Sequence, residues 1–339
     1  VELAGFVCVI SNWLTPLMKQ EKLGIRFWGT RGSFPVGTSA SLLRERMVEA
    51  VELSRGRDLT DRISVEAFVD SIFPGKIPPL YGTNTSCVEI TNGGAAHIIC
   101  DAGSGLYSCG AQLLEEGKST GETYHIFITH LHWDHIQGFP FFDPIYISGN
   151  KVVVHGFHEK LEEAFRLQMS PPFFPVPFSE LKADISFEVH DVSKPFEVDG
   201  ITVSGIEQKH PGVSYGYRFE GRGKAVVYST DSEHTQGVRS EGYPFIDFFK
   251  DADLLIFDGM YSSEDDVPKL EWGHSSSMMG VELAHRANVG HLVLFHHDPT
   301  RTDEELEGFL HKAKTYAKER SYSLPNQISS AYDGWILDL

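Results

Sequence analysis

Cysteine is scarce in this chain of 339 residues: Cys8, Cys87, Cys100 and Cys109 are the whole set, and none falls in a C-x-x-C pair. Four scattered thiols exclude a disulfide framework, so a reduced, cytoplasmic protein with cysteines as small core residues is expected. Basic residues are also few, 29 Lys and Arg against 47 Asp and Glu, for a formal charge of −18. That balance argues against wrapping long nucleic acid, whose affinity comes from neutralising phosphates with basic side chains. A small anionic partner remains compatible if a local metal supplies the positive field. Long apolar runs are missing too. Leu3–Ile10 is far shorter than the ~20 residues of a membrane span, and it lacks the basic start and small-residue cleavage site of a secretory leader. What is abundant is core material, 41% hydrophobic and 12% aromatic, which excludes disorder as the main state.

Residues 1–24 read as an appendage and 25–339 as one domain. Short segments rich in branched and aromatic residues, such as 25–28, 87–91, 97–100, 124–129, 151–155, 225–229, 254–257 and 291–295, read as strands. Helical spacing is evident over 277–287 and 303–318. Leu42, Leu43, Met47, Val51 and Leu53, then Val65, Phe68, Val69 and Ile72, predict a helical hairpin turning near Gly56, inserted at about 38–79. Many strands with interposed helices imply one layered α/β domain.

The chemistry concentrates after strand 124–129. His130, His132 and His135 fall within six residues, with Asp134 among them. A turn at a strand end can aim all four groups at one point. Imidazole and carboxylate are the ligand set of Zn²⁺ or Mn²⁺, and four such groups in so short a segment exceed what one tetrahedral ion takes. Two metals are the natural reading.

The string His130-Leu131-His132-Trp133-Asp134-His135 resembles the signature of metallo-β-lactamase-fold hydrolases, and further motifs follow in order. Asp101, in Asp101-Ala102-Gly103, resembles the aspartate that orients the metal loop. His210, Asp231 and His296 resemble the later motifs. The resemblance implies a four-layer αββα sandwich. It implies His130, His132 and His210 around one ion, Asp134, His135 and His296 around another, and Asp231 bridging them. Class B β-lactamases carry cysteine at that bridging position. A bridging carboxylate favours two matched divalent ions, best Zn²⁺ with Mn²⁺ or Fe²⁺ as alternatives, about 3.5–4 Å apart with a hydroxide held between them. His297 competes with His296; His296 is preferred because it directly follows the apolar strand.

Gly273-His274-Ser275-Ser276-Ser277 shortly before that ligand resembles the ribonuclease Z branch, where the histidine donates a proton to the phosphoryl or leaving oxygen. Asp258 resembles its acidic partner, or else caps the turn after strand 254–257. His274 could instead belong to a plain capping turn, with Ser275 as N-cap. Asp134 is a further catalytic candidate, as acceptor of a hydrogen bond from the nucleophile. The turns Trp28-Gly29-Thr30-Arg31-Gly32-Ser33 and Tyr81–Ser86 resemble glycine-rich turns bordering the site in that branch, with Arg31 contacting phosphate or pairing with acidic surface. No basic, glycine-rich arm for gripping tRNA is visible between Gly149 and Gly200. The proline-phenylalanine run Ser170–Phe178 stands there instead, as an apolar lid for a base or as core. The expected activity is therefore hydrolysis of a small phosphodiester, best a cyclic nucleotide. A thioester or lactone hydrolase, or a non-catalytic signalling output module, are the alternatives. The inserted helices would serve homodimerisation or gating.

Overall fold

A computed structural model describes residues 23–72, 80–91, 93–94, 96–234, 238, 240–262, 272–324 and 327–339. The expected appendage, Cys8 and the end of the insertion therefore lie outside the described residues, apart from Leu23 and Gly24. Described strands, in chain order, are β1 (Gly24–Gly29), β2 (Cys87–Thr91), β3 (Ala96–Cys100), β4 (Thr123–Phe127), β5 (Lys151–Gly156), β6 (Asp184–Val189), β7 (Phe196–Val198), β8 (Ile201–Gln208), β9 (Ser214–Gly221), β10 (Lys224–Ser229), β11 (Leu254–Asp258), β12 (His291–Phe295), β13 (Ile328–Ser330) and β14 (Ile336–Asp338). They form two seven-stranded sheets, β14-β1-β2-β3-β4-β5-β6 and β13-β12-β11-β10-β9-β8-β7. In each sheet one half is parallel, β3 to β6 and β10 to β13.

Strands such as Leu254-Leu255-Ile256-Phe257 are apolar without alternation because both their faces are covered. Leu254 and Ile256 point between the sheets, where they meet Phe27, Ile98, Phe127, Tyr217 and Phe295. Leu255 and Phe257 point outward against a helical layer. Burying each such side chain is worth about 1.5–3 kcal/mol relative to exposure. The helices are α1 (Ala40–Leu53), α2 (Arg62–Ile72), α3 (Gly105–Glu115), α4 (Trp133–Ile136), α5 (Leu161–Gln168), α6 (Pro244–Phe249), α7 (Ser277–Arg286) and α8 (Asp303–Glu319). Residues of α3 and α5 cover the first sheet, and residues of α6, α7 and α8 the second. The result is the expected αββα sandwich.

The inserted hairpin is present as α1 and α2. Phe68 and Ile72 pack with Ala50, Leu53 and Leu59 in a small core of their own, and Arg46 pairs with Asp303 and Glu304 at the start of α8. No residue of α1 is buried, and Leu43, Met47 and Val51 are exposed. In the run Ser170–Phe178 no residue is fully buried: Phe174 and Phe178 are half-buried against the α3 and α5 side, and Phe173 is exposed.

Candidate metal centre

Parallel strands point their carboxyl ends the same way, and here both parallel halves end at one edge of the sandwich. Asp101 follows β3, Thr129–His135 follow β4, Asp231 follows β10, Asp258 closes β11 and His296 follows β12. Asp101, Asp231 and His296 all sit at positive φ, 60°, 52° and 60°. Such backbone strain in non-glycine residues gathers at functional sites. Buried Asp101 accepts hydrogen bonds from the Thr129 amide at 2.8 Å and from Tyr228 Oη at 2.9 Å. It also accepts from His135 Nδ1 at 2.7 Å, which turns Nε2 of that ring inward. Tyr228 lies inside an apolar strand, so nothing in the sequence marked it. The amide of Ser33, in a turn the sequence did mark, donates to Asp134 Oδ2 at 2.8 Å.

Two groups of donor atoms result. In the first, His130 Nε2 lies 2.9 Å from His132 Nδ1, which lies 3.1 Å from His210 Nε2. In the second, His135 Nε2 lies 3.1 Å from Asp134 Oδ2 and 3.2 Å from Asp231 Oδ2. His296 Nε2 lies 3.3 Å and 3.2 Å from the same two oxygens. Asp231 spans both groups, with Oδ1 3.8 Å from His130 Nε2 and from His210 Nε2. A tetrahedral ion with bonds of about 2.0–2.1 Å sets its ligands about 3.3 Å apart, so these separations fit. Buried His135 Nε2 makes no hydrogen bond despite the two nearby carboxylates, as a nitrogen aimed at a cation would. The residues fit divalent metal. Glycines allow the approach: a Cβ on Gly32 would lie 2.4 Å from the His296 ring, and one on Gly273, at φ +84°, 2.2 Å from His210 Nδ1.

The electrostatics agree. Burial lowers the pKa of His130, His132 and His210, keeping these imidazoles neutral and able to coordinate. Burial also opposes charge on His135, but Asp231, Asp134 and Asp101 outweigh it and push its pKa well up. Asp134 and Asp231 resist burial through their histidines and stay ionised far below the usual carboxylate range. So much buried negative charge requires a cation. A divalent ion held by these side chains would supply it.

His274 Nδ1 is 2.9 Å from Asp258 Oδ2 and 3.9 Å from Asp231 Oδ1, with its ring stacked on His296 at 5.1 Å. Asp258 also accepts from the amides of Met260 and Ser232, both at 3.2 Å, so it caps the turn and holds the histidine at once. Burial disfavours charge on His274, yet Asp258, Asp231 and Asp134 raise its pKa to about 9. The N-cap of α7 is Ser276, not Ser275; Ser275 Oγ binds the His234 amide and the Ser232 carbonyl. His297 turns away, its Nε2 2.8 Å from the Ala331 carbonyl, which leaves His296 as the site histidine. Arg31 is buried too. Its guanidinium binds the carbonyls of Gly82, Asp298 and Arg301 and pairs with Asp303, so it ties loops together.

Residues 97–297, more than half of the chain, match the model of the Beta-lactamase superfamily domain. Ribonuclease Z of Prochlorococcus marinus (strain MIT 9515) is 25% identical over 261 residues, 59% of this chain and 80% of the relative. The metallo-beta-lactamase fold protein YhfI from Bacillus subtilis superposes with a TM-score of 0.62 at 18% identity, over 94% of this chain and 100% of that one. Unliganded yeast PDE1 gives 0.59 at 17% identity, over 94% and 100%. With its carboxylates and histidines gathered at the edge where that fold places its chemistry, the chain belongs to the beta-lactamase superfamily, as a metal-dependent hydrolase of ribonuclease Z-like type.

Proposed function

We propose that this protein is a dinuclear phosphodiesterase acting on a small substrate, best a cyclic nucleotide. His130, His132 and His210 would hold one ion, Asp134, His135 and His296 the other, and Asp231 both, with Zn²⁺ the ion best suited to this donor set. Bound there, the pair would polarise phosphoryl oxygens and bring the pKa of water from about 16 towards 7. The protein's own residues do the rest. Asp134, fixed by the Ser33 amide, accepts a hydrogen bond from the attacking water. His274, with Nδ1 tied to Asp258, keeps Nε2 for a proton passed to the departing ester oxygen. That pair carries the reading, because phosphodiester cleavage expels an alkoxide that needs a proton, whereas thiolate leaves without one.

The ribonuclease Z relative is by its name a nuclease, which supports a phosphodiester substrate. Charge and topography favour a small one. The chain carries a formal −18, and exposed Trp133, Trp272 and Phe34 stand beside the site residues His132, Gly273 and Ser33, offering faces on which a base can stack. No described helix is long and apolar enough to cross a membrane, and the buried free thiols Cys87, Cys100 and Cys109 suit a reducing cytoplasm. The test is hydrolysis of cyclic AMP, cyclic GMP, 2′,3′-cyclic nucleotides and bis-p-nitrophenyl phosphate by metal-analysed protein, beside a thioester and a lactone. Turnover of a cyclic nucleotide is expected. Two bound ions with thioester or lactone cleavage, and silence on every phosphodiester, would overturn the reading.

A further inference from the structure

A second group of metal-capable side chains lies away from this centre, at the outer edge of the first sheet. His155 on β5 pairs in register with Glu188 on β6, the edge strand, and His190 follows that strand. His155 Nδ1 is 2.9 Å from His190 Nε2 and 3.5 Å from Glu188 Oε2. Glu188 Oε2 is in turn 3.8 Å from His190 Nε2. These edges bracket the ~3.3 Å spacing of donors around a tetrahedral ion with bonds near 2.0–2.1 Å.

We propose that His155, His190 and Glu188 bind one further divalent ion of the zinc class, with the fourth position left to water. Two imidazoles and a carboxylate are donors a borderline ion accepts. Their supports fit a ligand role. His155 Nε2 meets His125 Nδ1 at 2.9 Å, so a hydrogen bond there fixes the tautomer that frees Nδ1 for metal. The His190 ring stacks on Phe196 at 3.6 Å and His155 on Phe127 at 4.6 Å, which sets both ring planes. Buried His155 stays neutral, its pKa pushed down to about 3 by burial and by His125 and His190. Glu188 is half-exposed, which opens the group to ions from solvent. A hydrogen-bonded histidine ladder is the competing arrangement. A proton between the ring nitrogens serves two of the three donor atoms, whereas a cation serves all three. Bound there, the ion would pin the edge strand β6 to β5.

The test titrates the metal-loaded holoenzyme with Zn²⁺ against a chromophoric chelator and compares it with Glu188→Gln and His190→Gln. Both substitutions are at the partly exposed rim, so folding is retained, and neither residue belongs to the catalytic centre. Wild type should take up one equivalent more than either variant and gain Tm on adding Zn²⁺, while the variants gain none and all three keep equal phosphodiester turnover. Equal uptake by wild type and both variants would overturn the proposal and leave a histidine ladder only.

Discussion

The two histidine clusters are built from the same side chain, and His135 of the first behaves oppositely to every histidine of the second. At the sandwich edge, buried carboxylates intrude: His135 lies between Asp101, Asp134 and Asp231, and its pKa is driven up against burial. At the edge of the first sheet, His155 contacts His125 and His190, half-exposed Glu188 lies beside His155 and His190, and burial drives all three pKa values down. Burial alone therefore keeps an imidazole neutral, and only a buried carboxylate makes it a charge-balancing group. A site for phosphoryl chemistry needs the second condition, because opposed charges must be held out of water before substrate arrives.

The largest break in this contrast is removal of the carboxylate that both halves of the centre share. Asp231→Ala should lose bound metal, read by elemental analysis, and lower turnover by about 10³-fold or more. Retention of two equivalents would show that Asp231 does not bridge. Next, His274→Ala should keep both ions and lose about 10²-fold in kcat, as for a proton donor. Asp258→Asn should cost about 10- to 100-fold through loss of the ring's orientation. Metal loss in His274→Ala would instead make it a ligand. Smaller again is His297→Ala, which leaves the Ala331 carbonyl unpaired. Metal content should be unchanged and stability reduced by about 1–3 kcal/mol in urea melts, whereas His296→Ala should lose metal.

Adjacent His296 and His297 also mark what was readable beforehand. The layered fold, the strand-end loop of His130–His135 and the order of the later carboxylate and histidine motifs were legible, because apolar strands and their terminal polar groups are local in sequence. Choosing between the two histidines was legible only as a position after a strand; the left-handed φ of 60° at His296, which swings it in, is set by the tertiary fold. Arg31 stayed open between phosphate and an acidic partner because an arginine in a glycine-rich turn looks the same whether it meets phosphate or, as here, three carbonyls and Asp303. The phenylalanines of 170–178 stayed open for a similar reason: an apolar loop reads alike as lid or core, and here Phe139 and Phe187 pack against Phe178 while Phe173 is exposed. Tyr228 and the cluster at His155 stayed silent, since their partners come from distant strands.

His234 tests the same rule with the least perturbation. It is buried, its ring set among Tyr243, Phe245, Phe249 and Phe257, with Ser232 Oγ at 2.9 Å and Tyr243 Oη at 2.7 Å as its hydrogen-bond partners. Hydroxyls bring no formal charge, and burial lowers its pKa from 6.5 to about 3. The unfolded chain therefore takes a proton below pH 6.5 that the folded protein refuses until about pH 3. Stability from this group is complete above pH 6.5 and falls as pH drops through that window, by at most about 1.4 kcal/mol per pH unit. His234→Phe gives up two hydrogen bonds and should be weaker at pH 7, yet its stability should fall less steeply between pH 6 and 4, by up to one proton's worth. Parallel slopes for the two proteins in urea melts at pH 7, 6, 5 and 4 would mean that a charged group reaches His234 after all, and that hydroxyls and rings do not by themselves decide a buried histidine's state.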